Sequence, residues 1–206
     1  MTTFPGSPIT LRGALVSVDF LSLSPLAVIS FQYNPHTLTR SFELKAGTSG
    51  PEAGQIARAP SETIKLDLEL DGADGLVDGA DAHGIGPQLA ALEELVSRSS
   101  LAIIADLVML NLGTIEVTPP TTKLTLFVWG PKRVLPVVIT ELSVTEEAHD
   151  RNLNPLRAQV KLTLRALNWN DVGQTHPAFG IALAHKMHSE ALALLGNLQS
   201  SGSPVF

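Results

Sequence analysis

The sequence predicts a mainly β fold with helices (α+β), an antiparallel sheet carrying packed helices. Three observations predict it: three consecutive strand patterns in residues 123–168, a further strict alternation in residues 61–70, and two segments with helical spacing. In the last arm, Leu156, Ala158, Val160, Leu162, Leu164 and Ala166 alternate with Arg157, Gln159, Lys161, Thr163 and Arg165. That period of two marks a strand with one buried and one wet face, whereas a helix would scatter the apolar residues around its circumference. The middle arm sets Val138, Leu142 and Val144 on one side and Glu141, Ser143, Thr145 and Glu147 on the other. Loop 148–155 supplies Asp, Asn and Pro where a connection needs them, so the two arms pair antiparallel. With both polar faces on one side, Glu141 and Glu147 share a surface with Arg157, Lys161 and Arg165, and each opposite-charge neighbour contributes about 0.2–1 kcal/mol.

Earlier in the chain, residues 9–20 and 25–33 are β-prone runs separated by Ser24-Pro25, a break because the residue before proline avoids the helical region. Asn34-Pro35-His36-Thr37 reads as the turn of a hairpin between Phe31/Tyr33 and an arm holding Leu38, Arg40, Phe42 and Leu44. Residues 46–60 form a loop rich in Gly, Ala and Pro. In residues 61–70, Ile64, Leu66, Leu68 and Leu70 point inward and Lys65, Asp67 and Glu69 outward. Loop 71–81 spaces Asp71, Asp74, Asp78 and Asp81 among glycines but lacks the oxygens, glycine and glutamate of an EF-hand at the required positions, so it reads as a solvated connection.

Pro87 begins a short amphipathic helix with Leu89, Leu92, Leu95 and Val96 on one face. Residues 101–112 are apolar almost all round, after Ser100 as a possible N-cap, and read as a second helix or a buried strand. An exposed helix there would be an oligomer contact. A last helix starts near Pro177, with Leu183, Met187, Ala191, Leu194 and Leu198 as an apolar stripe that needs a cover. The chain divides into a β domain over residues 1–170 and a helical extension over 171–206.

At 206 residues and 44% hydrophobic, the chain can bury a substantial core without disulfides, of which zero cysteines leave none. A net charge of −6 with only 14 Lys and Arg, and no basic run, argues against a nucleic-acid surface. No secretory signal is visible, and the longest apolar stretch is too short to span a bilayer, which needs ~20 residues. Membrane insertion is therefore not expected.

Candidate chemistry is sparse. His185 and His188, three residues apart on one helix face, could both ligate a metal, but no HExxH or third ligand accompanies them, so an ordinary polar face is the better reading. GxSxG, GxxxxGK[ST] and GxGxxG are all absent. His149-Asp150 beside Arg151 reads as a polar loop tip. The sequence predicts no catalytic residue, no cofactor and no metal, hence no enzyme.

Three pieces, FQYNPHTLTR, IKLDLELDGADGLVDGADAHGIGPQLAALEEL and LTLFVWGPKRVLPVVITELSVTEEAHDRNLNPLRAQVKLTLRALNW, resemble in order the tube and baseplate-hub adaptor proteins of contractile injection systems, which are phage-tail-like particles. The resemblance implies a phage-tail-tube-like antiparallel β-sandwich or barrel with a packed helix, forming a six-fold ring that adapts the hexameric inner tube to the spike in the baseplate hub. It implies as partners the protein itself, the inner tube protein, the spike protein and baseplate or sheath components. It also implies a cytoplasmic assembly within a particle that can be released from the cell. The fold-signature and subunit-interface positions it marks are Asn34, Pro35, Arg40, Asp71, Asp74, Trp129, Gly130, Pro155, Arg157 and Ala158, serving turn geometry and subunit contacts. Leu183, Met187, Leu194 and Leu198 would dock the last helix on its own or a neighbouring subunit. Adaptors of this family often carry a LysM module; the 37 residues after Trp169 are too few for one, so cell-wall binding is not transferred. That departure keeps an inner tube or tube-initiator protein as the alternative, and a small-molecule-binding β-barrel is the alternative from another class.

Overall fold

The computed structural model of the protein describes residues 11–19, 22–44, 59–72, 83–111 and 123–200, with only the backbone of residues 101, 102 and 198–200. Seven strands form one antiparallel sheet: β1 (Ala14–Val18), β2 (Pro25–Ser30), β3 (Leu38–Glu43), β4 (Ser61–Asp71), β5 (Leu124–Val128), β6 (Val134–His149) and β7 (Pro155–Ala166), in the order β2-β1-β5-β6-β7-β4-β3. Three helices accompany it among the described residues: α1 (Gly86–Val96), α2 (Ser100–Asn111) and α3 (Pro177–Ser200). The mainly β, α+β class expected from the alternation is the observed one.

The sheet is rolled, and two short hydrogen-bonded links show it. Phe31 donates from its backbone N–H to the Gly13 carbonyl (2.8 Å), while the next residue, Gln32, bonds the Asp71 backbone through both ends of its amide, at 2.6 and 2.9 Å. Laid flat, four inter-strand steps of ~4.8 Å and about thirteen residue rises of ~3.3 Å would set Gly13 and Asp71 more than about 40 Å apart. Only a curled, strongly tilted sheet lets adjacent residues touch both, which is the barrel-like geometry that strand tilt and stagger produce.

Inside the roll, Leu15, Ile64, Leu66, Leu68, Leu70, Phe127, Val160, Leu162 and Leu164 are buried, and α1 adds Leu89 and Leu92 to the same core. The β4 and β7 patterns therefore follow the sequence residue by residue. A second, smaller cluster lies on the other face of β1 and β5, where Val18 and Leu124 meet Ala178 at the start of α3.

Three expectations are corrected. The 31–44 hairpin does not form: β2 pairs with β1 and β3 with β4, so 31–37 is a corner between the two sheet edges. Val138 does not share a face with Leu142 and Val144, because the register shifts between Ile139 and Glu141 and the inward series runs Leu135, Val137, Ile139, then Leu142 and Val144. A bulge of this kind adds one unpaired residue and inverts the side-chain parity beyond it. Finally, the β7 cations find acids mainly on β4: Arg157 reaches Glu69 (3.2 Å) and Asp71 (3.3 Å), and Lys161 stands opposite Asp67. Glu141 instead accepts a 3.1 Å bond from the Thr163 hydroxyl. Of the two readings for residues 101–112, the helix is observed as far as Asn111, and its described side chains from Ile103 on are exposed. Loop 46–60 apart from its last two residues, Asp74, Asp78 and Asp81 lie outside the described residues, as does the Leu198 side chain.

Candidate assembly surfaces

Most signature positions gather around the corner that closes the roll. Asn34 donates from Nδ2 to the Leu11 carbonyl and accepts the Gly13 N–H at Oδ1, both at 2.8 Å, so one amide holds the chain leading into β1. Pro35 continues the corner, half-buried. A Cβ on Gly13 would stand 2.7 Å from the rings of Phe31 and Trp129, so the close approach requires glycine there. Trp129 stacks on Phe127 with ring centroids 5.8 Å apart and tilts against Phe31 at 6.5 Å. Gly130, at φ 79°, turns the chain so that the Trp129 N–H meets the Arg133 carbonyl at 2.8 Å.

Across the corner, Asp71 is gripped by Gln32 and paired with Arg157. Pro155 accepts the Ile85 N–H at 2.9 Å, and Ala158 is fully buried in the core that α1 joins. Trp129 therefore packs against Phe31 at the start of the corner, while Arg157 reaches the same corner through Asp71 and Gln32. Arg40 stands apart on β3, bound to Glu62 and lying 5.1 Å over the Phe42 ring. The sequence pattern missed Gln32, Glu62 and Gly84, whose roles depend on partners about 22 to 70 residues away; only the unusual density of glycines hinted at the last.

The β6–β7 tip is held by Asp150, whose carboxylate accepts bonds from the Asn152 and Asn154 backbones and from the Asn154 side chain at 2.7–2.8 Å. Asn154 first, with Asn152 and the neighbouring His149 adding to it, keeps the Asp150 carboxyl below its ordinary value. These bonds fix a turn in which Leu153 adopts φ 65°. The Lys123 ammonium similarly lowers Glu94 and ties α1 to the start of β5.

The least satisfied surfaces are apolar. Helix α2 exposes Ile103, Ile104, Leu107, Val108, Met109 and Leu110, although a helix apolar all round is normally buried. On α3, Ala178 and Ala182 face the sheet, while Met187 (62%) and Leu194 (65%) are exposed, as is Leu183. Among the described residues, nothing covers these three side chains. Both sheet edges add to this: β2 presents Leu26 and Val28, and β3 presents Phe42. Exposed edges of this kind are normally charged or covered.

No protein-family model matches the chain, and no curated protein matches it. No group of three metal-ligating side chains occurs among the described residues, and no described helix is long and apolar enough to cross a membrane.

Proposed function

We propose that the protein is a structural, non-enzymatic ring subunit of a contractile injection particle, adapting the hexameric inner tube to the spike in the baseplate hub. The observation that carries this reading is the apolar surface left open on α2, on the outer stripe of α3 and on both sheet edges. Contiguous exposed apolar surface marks a contact that another chain covers. Two sheet edges on different strands favour a head-to-tail contact, and such contacts close into rings or extend into filaments. The resemblance of the corner, W-G and N-P-L-R-A segments to hub adaptors supplies the particular assembly. The packed interior of the roll, filled by Phe31, Phe127 and the leucines of β4 and β7, gives no support to a ligand enclosed within the strands.

Electron microscopy of the chain with its tube and spike partners tests the reading. One ring per particle at the spike end is expected; long stacks would identify an inner tube protein instead. Particles in which the protein is absent, and a chain that stays monomeric beside tube and spike, would overturn it. The double substitution Met187→Asp and Leu194→Asp alters side chains outside the core, so the variant should keep its melting temperature and circular dichroism while losing rings. Rings that persist would remove α3 from the assembly contact.

A further inference from the structure

We propose that the cleft between α3 and the sheet binds a small amphipathic oxyanion: an apolar body carrying a carboxylate or phosphate head. Two hollows of about 240 and 400 Å³ adjoin there and share Arg40, His185 and Ser189 as walls. Phe42, Leu135, Leu167 and Trp169 line the first, so that end is mainly apolar, although Glu62, paired with Arg40, and Lys186 also border it. Lys132, Arg133 and His188 line the second with no acidic residue among its walls, so the other end is basic. In a chain of net charge −6, three of the 14 Lys and Arg converge on this one hollow.

The polar groups are also unmatched. Lys132 and Arg133 make no ion pair among the described residues, and Arg40 binds Glu62 through Nε alone. His185 Nδ1 and His188 Nε2 are buried without a hydrogen-bond partner. Buried polar atoms are almost always paired in folded proteins, so orphaned imidazole nitrogens beside a cationic hollow mark groups that a ligand would satisfy. Guanidinium and ammonium groups recognise carboxylate and phosphate alike, with charge-assisted hydrogen bonds. An apolar lining with a few convergent polar groups is the usual make-up of a small-molecule site.

The imidazole makes binding depend on pH. Burial holds His185 below its ordinary value; Glu62 on β4 opposes that, while Arg40 on β3, Arg133 in the β5–β6 turn and His188 on α3 reinforce it. A bound anion favours the protonated ring, so binding at His185 takes up a proton and strengthens as the pH falls toward the ring's lowered value.

Every wall belongs to one chain, but Phe42 also lies on the β3 edge that the ring reading covers, so the proposal is tested on the full chain in the absence of tube and spike. Calorimetric titrations with octanoate, octyl phosphate, 1-octanol and inorganic phosphate separate head from body. One octanoate or octyl phosphate per chain is expected, and the tighter of the two identifies the head. Lys132→Ala with Arg133→Ala should weaken it at least tenfold at unchanged melting temperature, and Phe42→Ala should weaken it several-fold. The proposal is overturned if octanol binds as well as octanoate, if inorganic phosphate binds as well as octyl phosphate, or if neither amphiphile binds at millimolar concentration.

Discussion

Gly84→Ala and Gly86→Ala, the same chemical change two residues apart, should differ sharply in stability, only the first being destabilising. Gly84 sits at φ 57°, and a Cβ there would lie 2.1 Å from the Pro155 carbonyl oxygen, a backbone atom that cannot swing aside. The left-handed conformation costs a non-glycine residue about 1–2 kcal/mol. Relieving the clash pushes the loop off β7 and breaks the Ile85 N–H to Pro155 bond, whose loss adds about 1 kcal/mol. The sum is about 2–3 kcal/mol, or a melting-temperature drop of about 4–12 °C for a chain of this size. Gly86, by contrast, is the first residue of α1 with nothing within 4 Å of its Cβ position. Alanine there should be neutral or stabilise by up to about 1 kcal/mol through helix propensity. Urea denaturation followed by tryptophan fluorescence and circular dichroism reads both variants. A Gly84→Ala protein as stable as the parent, or two variants of equal stability, would refute the argument that this loop is clamped to the start of β7.

The bulge makes neighbouring valines unequal: Val137→Asp, at 2% exposure, should cost more than about 3 kcal/mol, and Val138→Asp, at 42%, less than about 1 kcal/mol, as measured by chemical denaturation. Equal costs would mean the strand keeps one parity throughout. Phe127→Ala removes a fully buried ring that touches Phe31 and Trp129, and should destabilise by about 3–5 kcal/mol. Asp150→Ala should weaken the tip turn at neutral pH. Because folding lowers the Asp150 pKa from 3.8, its contribution is present above that value and fades as the pH falls through the folded one. The stability gap between parent and variant should therefore narrow below about pH 4, and a gap that stays constant to pH 2 would exclude the carboxylate as its source.

Much of the fold is legible in local pattern because burial on a sheet imposes a period of two. Ile64 to Leu70 and Ala158 to Ala166 fall on the inner face as their alternation requires. Leu89 and Leu92 of α1 do likewise at helical spacing. The pattern failed at Thr140, since a single unpaired residue leaves no local signature yet inverts the face of the residues that follow, up to the next register shift after Glu146. It failed again at the 31–37 corner, where a turn signal is compatible with a hairpin or with a link between distant edges. Burial also could not be read from apolarity alone: residues 103–110 are hydrophobic enough for a core, and lie outside it.

The sequence by itself determined most strand and helix segments, the inward face of β4 and β7, and the absence of recognisable catalytic motifs, because each depends on residues within a few positions of one another. Tertiary structure alone decided which strands are neighbours, that Gln32 and Asn34 close the roll, and that Arg40, Arg133 and His185 share a cleft with Phe42 and Trp169. Those groupings join residues up to about 150 positions apart, and no local periodicity encodes a pairing made by chain closure.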